Sequence, residues 1–227
     1  MIIKRFEKSA TNAYGFIVVL PDGYKEQNKY PLLIHLHGVG GRPGLDALIA
    51  GELPKGIQSA VDKFNFIAIA PHTPNDWTNA ETDHVLNWAS KNLSIDWTKV
   101  YLCGTSLGGG EVTKYLSTQN ASKFAAAVSV CGLNWISKAE NIAAAKLPMI
   151  FFHAQDDATV PVSNTHNAVA SINAYSMPVP VKKVVYPSGQ HWIWGRVYDP
   201  DNRPWVDNEK PATLYEWLLM NEQGKPV

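Results

Sequence analysis

The chain predicts an α/β fold in three layers, a mostly parallel open sheet with helices on both faces. Three observations point there. Short β-rich runs alternate with helical patterns along the 227 residues. Several runs are apolar at nearly every position, as strands buried on both faces of a parallel sheet are. The length is about one and a half times the roughly 150-residue norm for a domain, so one domain spanning residues 1–227 is expected.

The strands are expected at 14–20, 32–37, 66–70, 100–104, 124–131, 148–154 and 181–186. Helices are expected between them at about 55–63, 81–93, 106–118, 137–145 and 163–175, with a closing helix in 207–221. In 81–93, Val85, Leu86, Trp88, Ala89 and Leu93 recur at three- and four-residue spacing, which makes one apolar helix face. Leu214, Trp217, Leu218 and Met220 do the same near the end. The first strand precedes the alternation and is expected to pair antiparallel at an edge. Only sixteen residues, 132–147, separate two of the strands, which leaves room for a minimal cap or none. In such sheets functional groups gather in the loops at the carboxyl ends of the strands.

Composition excludes several classes. Twenty basic residues balance twenty acidic ones, so the chain lacks the excess of Lys and Arg that nucleic acid or an anionic membrane requires. Apolar content of 45% with no net charge argues against disorder. No apolar run approaches the roughly 20 residues of a membrane span. Two cysteines, Cys103 and Cys131, make at most one disulfide; they fall in adjacent-looking strands and read as buried small hydrophobes. The first eight residues lack the apolar stretch of a signal peptide, so either the protein stays in the cytoplasm or a leader precedes this numbering.

The chemistry starts at Gly104-Thr105-Ser106-Leu107-Gly108, between a strand and a helical pattern, with Gly109 and Gly110 following. A serine on such a turn is lifted above the sheet, and small neighbours let strand and helix approach. Its hydroxyl needs an adjacent base, and the base an orienting acid. Of seven histidines, His191 follows the last expected strand across a turn containing Pro187, Ser188 and Gly189. His84 and His166 fall within helices, and His153 ends a buried strand as a satisfied structural histidine. For the acid, 148–154 runs into Asp156 and Asp157, either of which could turn toward His191. Asp157 is favoured, with Asp156 capping the loop or facing water.

These residues carry a resemblance. The order Ser106, Asp157, His191 resembles that of the α/β-hydrolase fold. The segment His35-Leu36-His37-Gly38-Val39-Gly40-Gly41 resembles its oxyanion-hole segment after the third strand. Residues 153–161 resemble the His-Gly-x-x-Asp-x-x-Val-Pro loop of small carboxylesterases, feruloyl esterases and polyhydroxybutyrate-depolymerase-like enzymes, with Ala154 in place of the glycine. The resemblance covers about residues 14–217. It implies acyl transfer without a cofactor: Ser106 as nucleophile, His191 as base, Asp157 as acid, and the backbone N–H groups of Val39 and Leu107 as the oxyanion hole. Neither cysteine occupies the nucleophile position, which speaks against the cysteine-dependent dienelactone hydrolases that share this fold.

The eight tryptophans bear on the substrate. Trp88, Trp97 and Trp217 read as packing, and Trp205 sits in a polar segment near the end. Trp77, Trp135, Trp192 and Trp194 fall where the cleft is expected, and broad rings with a polar edge suit aromatic acyl groups or sugar faces. The expected substrate is a small-molecule or carbohydrate ester, carrying an acetyl or feruloyl group. Two other readings remain, a serine peptidase or amidase on short substrates and a catalytically silent binding module. His35-x-His37 could pair as metal ligands, yet no third and fourth ligand follows at zinc-like spacing, so no metal site is expected.

Overall fold

The computed structural model describes residues 1–10, 12–203, 205–207 and 210–223; for residues 119, 205–207, 210 and 211 it describes the backbone alone. The main sheet has eight strands: β1 (Ile2–Phe6), β2 (Phe16–Leu20), β3 (Tyr30–Leu36), β4 (Ile67–Pro71), β5 (Ile95–Thr105), β6 (Ala126–Val130), β7 (Met149–Ala154) and β8 (Lys182–Tyr186). They lie in the order β1-β2-β4-β3-β5-β6-β7-β8. From β4 to β8 every pairing is parallel, while β2 runs antiparallel to both β1 and β4. All seven expected strands are present, with shifted ends.

Three strands lie outside the expected set. The edge is β1, not the strand at Phe16–Leu20, which lies one place in. Its exposed Lys4 and Arg5 show why periodicity misses it: an edge strand presents charges to water and carries no buried run. Near the end, β9 (Trp205–Asp207) and β10 (Lys210–Ala212) pair antiparallel, so the closing helix begins only at Leu214.

The helices are α1 (Leu45–Ala47), α2 (Lys55–Phe64), α3 (Asn79–Asn92), α4 (Leu107–Tyr115), α5 (Ala139–Ala144), α6 (Ser163–Asn173), α7 (Trp194–Val197) and α8 (Leu214–Met220). Alternate strand residues feed two separate apolar layers. Phe16, Val18, Ile34, Leu102 and Phe151 meet Val85 of α3, Val112 of α4 and Ile172 of α6. Ile17, Val19, Leu33, Val128 and Phe152 meet Ile57 and Val61 of α2 and Leu214 and Leu218 of α8 on the opposite face. The two long-expected helices start at capping boxes: Thr78 with Glu81 opens α3, and Thr213 with Glu216 opens α8. Between β6 and β7 the only helix is the six-residue α5, so nothing large covers the carboxyl end of the sheet there. No helix among the described residues is long and apolar enough to cross a membrane.

Candidate active site

Four parallel strands deliver the site. β5 ends at Thr105 and α4 begins at Leu107, leaving Ser106 alone at the corner with φ 54° and ψ −116°. A non-glycine residue there is strained by about 1–3 kcal/mol, and surrounding contacts must enforce it. They do: the Ser106 N–H donates to the Val130 carbonyl at 2.8 Å, and the Gly110 N–H donates to the Ser106 carbonyl at 3.0 Å. The glycines are needed for space. A Cβ on Gly104 would overlap the Gly108 carbonyl, and one on Gly108 would overlap the Leu36 carbonyl.

From the end of β8, the turn through Gly189 (φ 142°) and Gln190 (φ 51°) brings His191 back over the sheet. Asp156 fixes that turn, accepting from the N–H of Gln190 at 2.8 Å and of Gly189 at 3.3 Å. His191 Nε2 lies 2.8 Å from Ser106 Oγ, and Nδ1 lies 2.7 Å from Asp157 Oδ2. The loop after β7 holds Asp157 with N–H groups of Thr159 and Val160, each donating to Oδ1 at 2.9 Å. Burial alone would raise the Asp157 carboxyl, but its hydrogen bonds from His191, Val160 and Thr159 outweigh it and hold it below the ordinary value. His191 and Asp157 are buried and Ser106 half-buried, so Ser106 is the least buried of the three. An Nδ1–H donating to an ionised carboxylate leaves Nε2 free to accept the serine proton.

The loop after β3 flanks the serine. A Cβ on Gly38 would lie 3.4 Å from Ser106 Cβ, so the backbone passes in van der Waals contact. Val39 starts the 3₁₀ turn Val39–Gly41 and Leu107 starts α4, so both N–H groups lie in first turns, where intrahelical acceptors are lacking. His37 braces this loop: Nδ1 donates to the Gly38 carbonyl at 2.6 Å, and Nε2 accepts from the Thr73 N–H at 3.2 Å. Burial pushes the His37 imidazole down to about 4 and His35 down to about 3. His35 Nε2 donates to the Glu52 carbonyl at 3.1 Å and Nδ1 faces Cys103 Sγ at 3.5 Å. Both rings are thereby committed to neighbours.

Trp77 corrects the expectation that it lines the cleft. It is 2% exposed, its ring packs on His37 at 4.7 Å between centroids, and its Nε1 donates to the His37 carbonyl at 3.0 Å. It supports the loop from beneath and offers no face to a ligand. Trp135 is half-buried in the helical layer, where its ring would lie 2.9 Å from a Cβ on Gly110. Trp192 and Trp194 do flank His191: Trp192 is 69% exposed, and the two indoles meet edge-on at 4.8 Å. Their rings lie 6.0 and 5.6 Å from that of His191. Trp97, expected to pack, is instead 41% exposed on the extended start of β5. The Trp205 side chain lies outside the described residues.

Three further residues support the site: His153 is the satisfied structural histidine the sequence suggested, while the placement of Cys131 and Glu52 escapes the sequence reading. His153 donates from Nε2 to the Val160 carbonyl at 2.8 Å and accepts at Nδ1 from Thr165 Oγ1 at 2.8 Å; Nε2 also stands 3.2 Å from Asp157 Oδ2. Cys131, at φ 48°, places its sulfur in one cluster with Asp157 and His191, ligand atoms all within 4.8 Å. Burial, reinforced by the Asp157 charge, pushes that thiol up, so it stays protonated. Glu52 lies against the loop at Gly40. Only His153 had a local signal, its place at the head of the loop that carries Asp157.

Comparison with known proteins agrees with this frame. A probable feruloyl esterase C of Aspergillus terreus is 28% identical over 131 residues, which are 53% of this chain and 47% of that protein. The chain thus matches about half the length of this curated relative. A thermostable esterase superposes with a TM-score of 0.73 at 24% identity, covering 97% of this chain and 63% of that one. A feruloyl esterase module from Clostridium thermocellum, solved with sinapinate, gives 0.70 at 17%, covering 87% and 86%. An acetyl xylan esterase from Aspergillus awamori gives 0.65 at 14%, covering 84% and 94%. These structures share the fold, the α/β-hydrolase fold. The family model for dienelactone hydrolases matches residues 5–194. The absence of a cysteine at the elbow therefore does not set the chain apart: with Ser106 in that position, it belongs to the dienelactone hydrolase family.

Proposed function

We propose that this chain is a serine carboxylesterase that works through an acyl-enzyme. The supporting observation is the continuous pair of hydrogen bonds Ser106–His191–Asp157, at 2.8 and 2.7 Å, with Ser106 half-buried. His191 takes the hydroxyl proton as Ser106 Oγ attacks the ester carbonyl, and Asp157 stabilises the resulting imidazolium. The tetrahedral oxyanion is met by the N–H groups of Val39 and Leu107. Each such donor is worth about 3–4 kcal/mol of barrier, and the α4 amino terminus adds favourable potential. His191 returns the proton to the leaving alcohol; then it activates water, which releases the acid and restores Ser106.

The substrate in this reading is an acetyl or feruloyl ester of a carbohydrate. The names of the Aspergillus and Clostridium relatives support it, as does the exposed Trp192–Trp194 pair, whose flat faces suit an aromatic acid or a sugar ring. The short α5, the helix between β6 and β7, leaves room for a bulky alcohol in this reading. A panel of acetylated sugars, methyl ferulate, nitrophenyl esters of rising chain length and a matched amide tests it. Turnover concentrated in the first two supports the reading; turnover confined to long aliphatic chains or to the amide contradicts it.

A further inference from the structure

The loop that carries Val39 is seated on a carboxylate. Glu52 closes the π-helical turn Leu48–Glu52, and a Cβ on Gly40 would overlap its Oε1, with Oε2 2.9 Å away. One further point ties that carboxylate to the site: a Cβ on Gly38 would lie both 3.4 Å from Ser106 Cβ and 4.0 Å from Glu52 Oε2. Ser106 Cβ and Glu52 Oε2 thus both face the α-carbon of Gly38 on the side where a side chain would stand. Glu52 is half-buried, and no group among the described residues donates a hydrogen bond to its carboxylate. The cations nearby in sequence are engaged elsewhere. Arg42 pairs with Asp76 at 2.5 Å, and Lys55 Nζ donates to the Ile49 carbonyl at 2.8 Å.

A carboxylate placed here has two consequences. It accepts hydrogen bonds and offers none, and at this range in a partly dry site it repels a second negative charge strongly. We propose that Glu52 is a specificity-determining residue of this site: its carboxylate accepts a hydrogen bond from a hydroxyl of a neutral ester and turns away esters whose acyl group is itself anionic. The inference rests on the ester-hydrolase reading and narrows it to neutral, hydroxyl-bearing substrates.

The test compares nitrophenyl acetate with nitrophenyl hemisuccinate in the wild type, Glu52→Gln and Glu52→Met, with fluorophosphonate labelling of Ser106 run on all three. The ratio of kcat/KM for hemisuccinate over acetate rises fivefold or more in whichever variant folds. A smaller rise in variants that label normally overturns the role of Glu52 and leaves the hydrolase reading standing. A wild type that neither labels nor turns over acetate sinks both. Glu52→Met further separates the two halves: it loses rate on acetylated sugars beyond its loss on nitrophenyl acetate, because its thioether accepts hydrogen bonds only weakly. Equal losses on both overturn the hydroxyl contact.

Discussion

His153 Nε2 stands 3.2 Å from Oδ2 of Asp157, the oxygen that also receives His191 Nδ1 at 2.7 Å. With Oδ1 taken by two backbone N–H groups, the carboxylate has one orientation. Asp156, next in the chain, serves the turn ahead of His191 instead. Asp157→Asn should therefore lower kcat/KM on nitrophenyl acetate by about 10⁴, because the amide favours the wrong imidazole tautomer. Asp156→Ala should lower it by about tenfold or less, through a looser turn. Comparable losses in the two variants would refute this division of labour.

The elbow depends on close approach of α4 to β3. Gly108→Ala should destabilise the protein by about 3 kcal/mol, since its Cβ meets the immovable Leu36 carbonyl. Gly195→Ala, with nothing within 4 Å of the new methyl, should change stability by no more than about 0.5 kcal/mol. Urea unfolding of both variants decides it.

Trp77 and Trp192 should separate stability from binding. Trp77→Ala should cost about 3–5 kcal/mol of stability and lower kcat, because the loop it props carries Val39. Trp192→Ala should leave stability within about 0.5 kcal/mol while raising KM for methyl ferulate. Thermal melts paired with kinetics read both.

Glu111 of α4 is fully buried, and neither carboxylate oxygen accepts a hydrogen bond among the described residues, though Lys114 Nζ lies 3.2 Å away. Burial pushes its carboxyl from 4.5 up to about 7, with Lys114 acting in the opposite sense. The folded state therefore holds this proton more tightly than the unfolded chain. The stability this contributes is complete below about 4.5 and is lost as pH rises toward and through about 7. Glu111→Gln, which cannot ionise, should thus gain about 2–3 kcal/mol on the wild type between pH 5 and pH 8. An equal difference at both pH values would contradict it.

The parallel sheet was legible because its strands are buried on both faces, and a continuous apolar run needs no partner to be recognised. The edge strand β1 and the β9–β10 pair were not, since charged and short strands carry no such pattern. The chain positions of Ser106, Asp157 and His191 could be read from turns following strands. The tryptophans could not be sorted, because burial is decided by what packs across the chain: Trp77 lies under a loop forty residues earlier, and Trp97 faces water from a strand that outruns its neighbours. Glu52 left no local trace, for its significance arises only where its turn meets Gly40.

The most direct measurement is intact-protein and peptide mass spectrometry after millisecond quenching with nitrophenyl acetate. A single acetyl group on Ser106, formed as nitrophenol bursts and absent in Ser106→Ala, is the predicted result. Turnover that persists in Ser106→Ala, or an acetyl group carried at another residue, would contradict it.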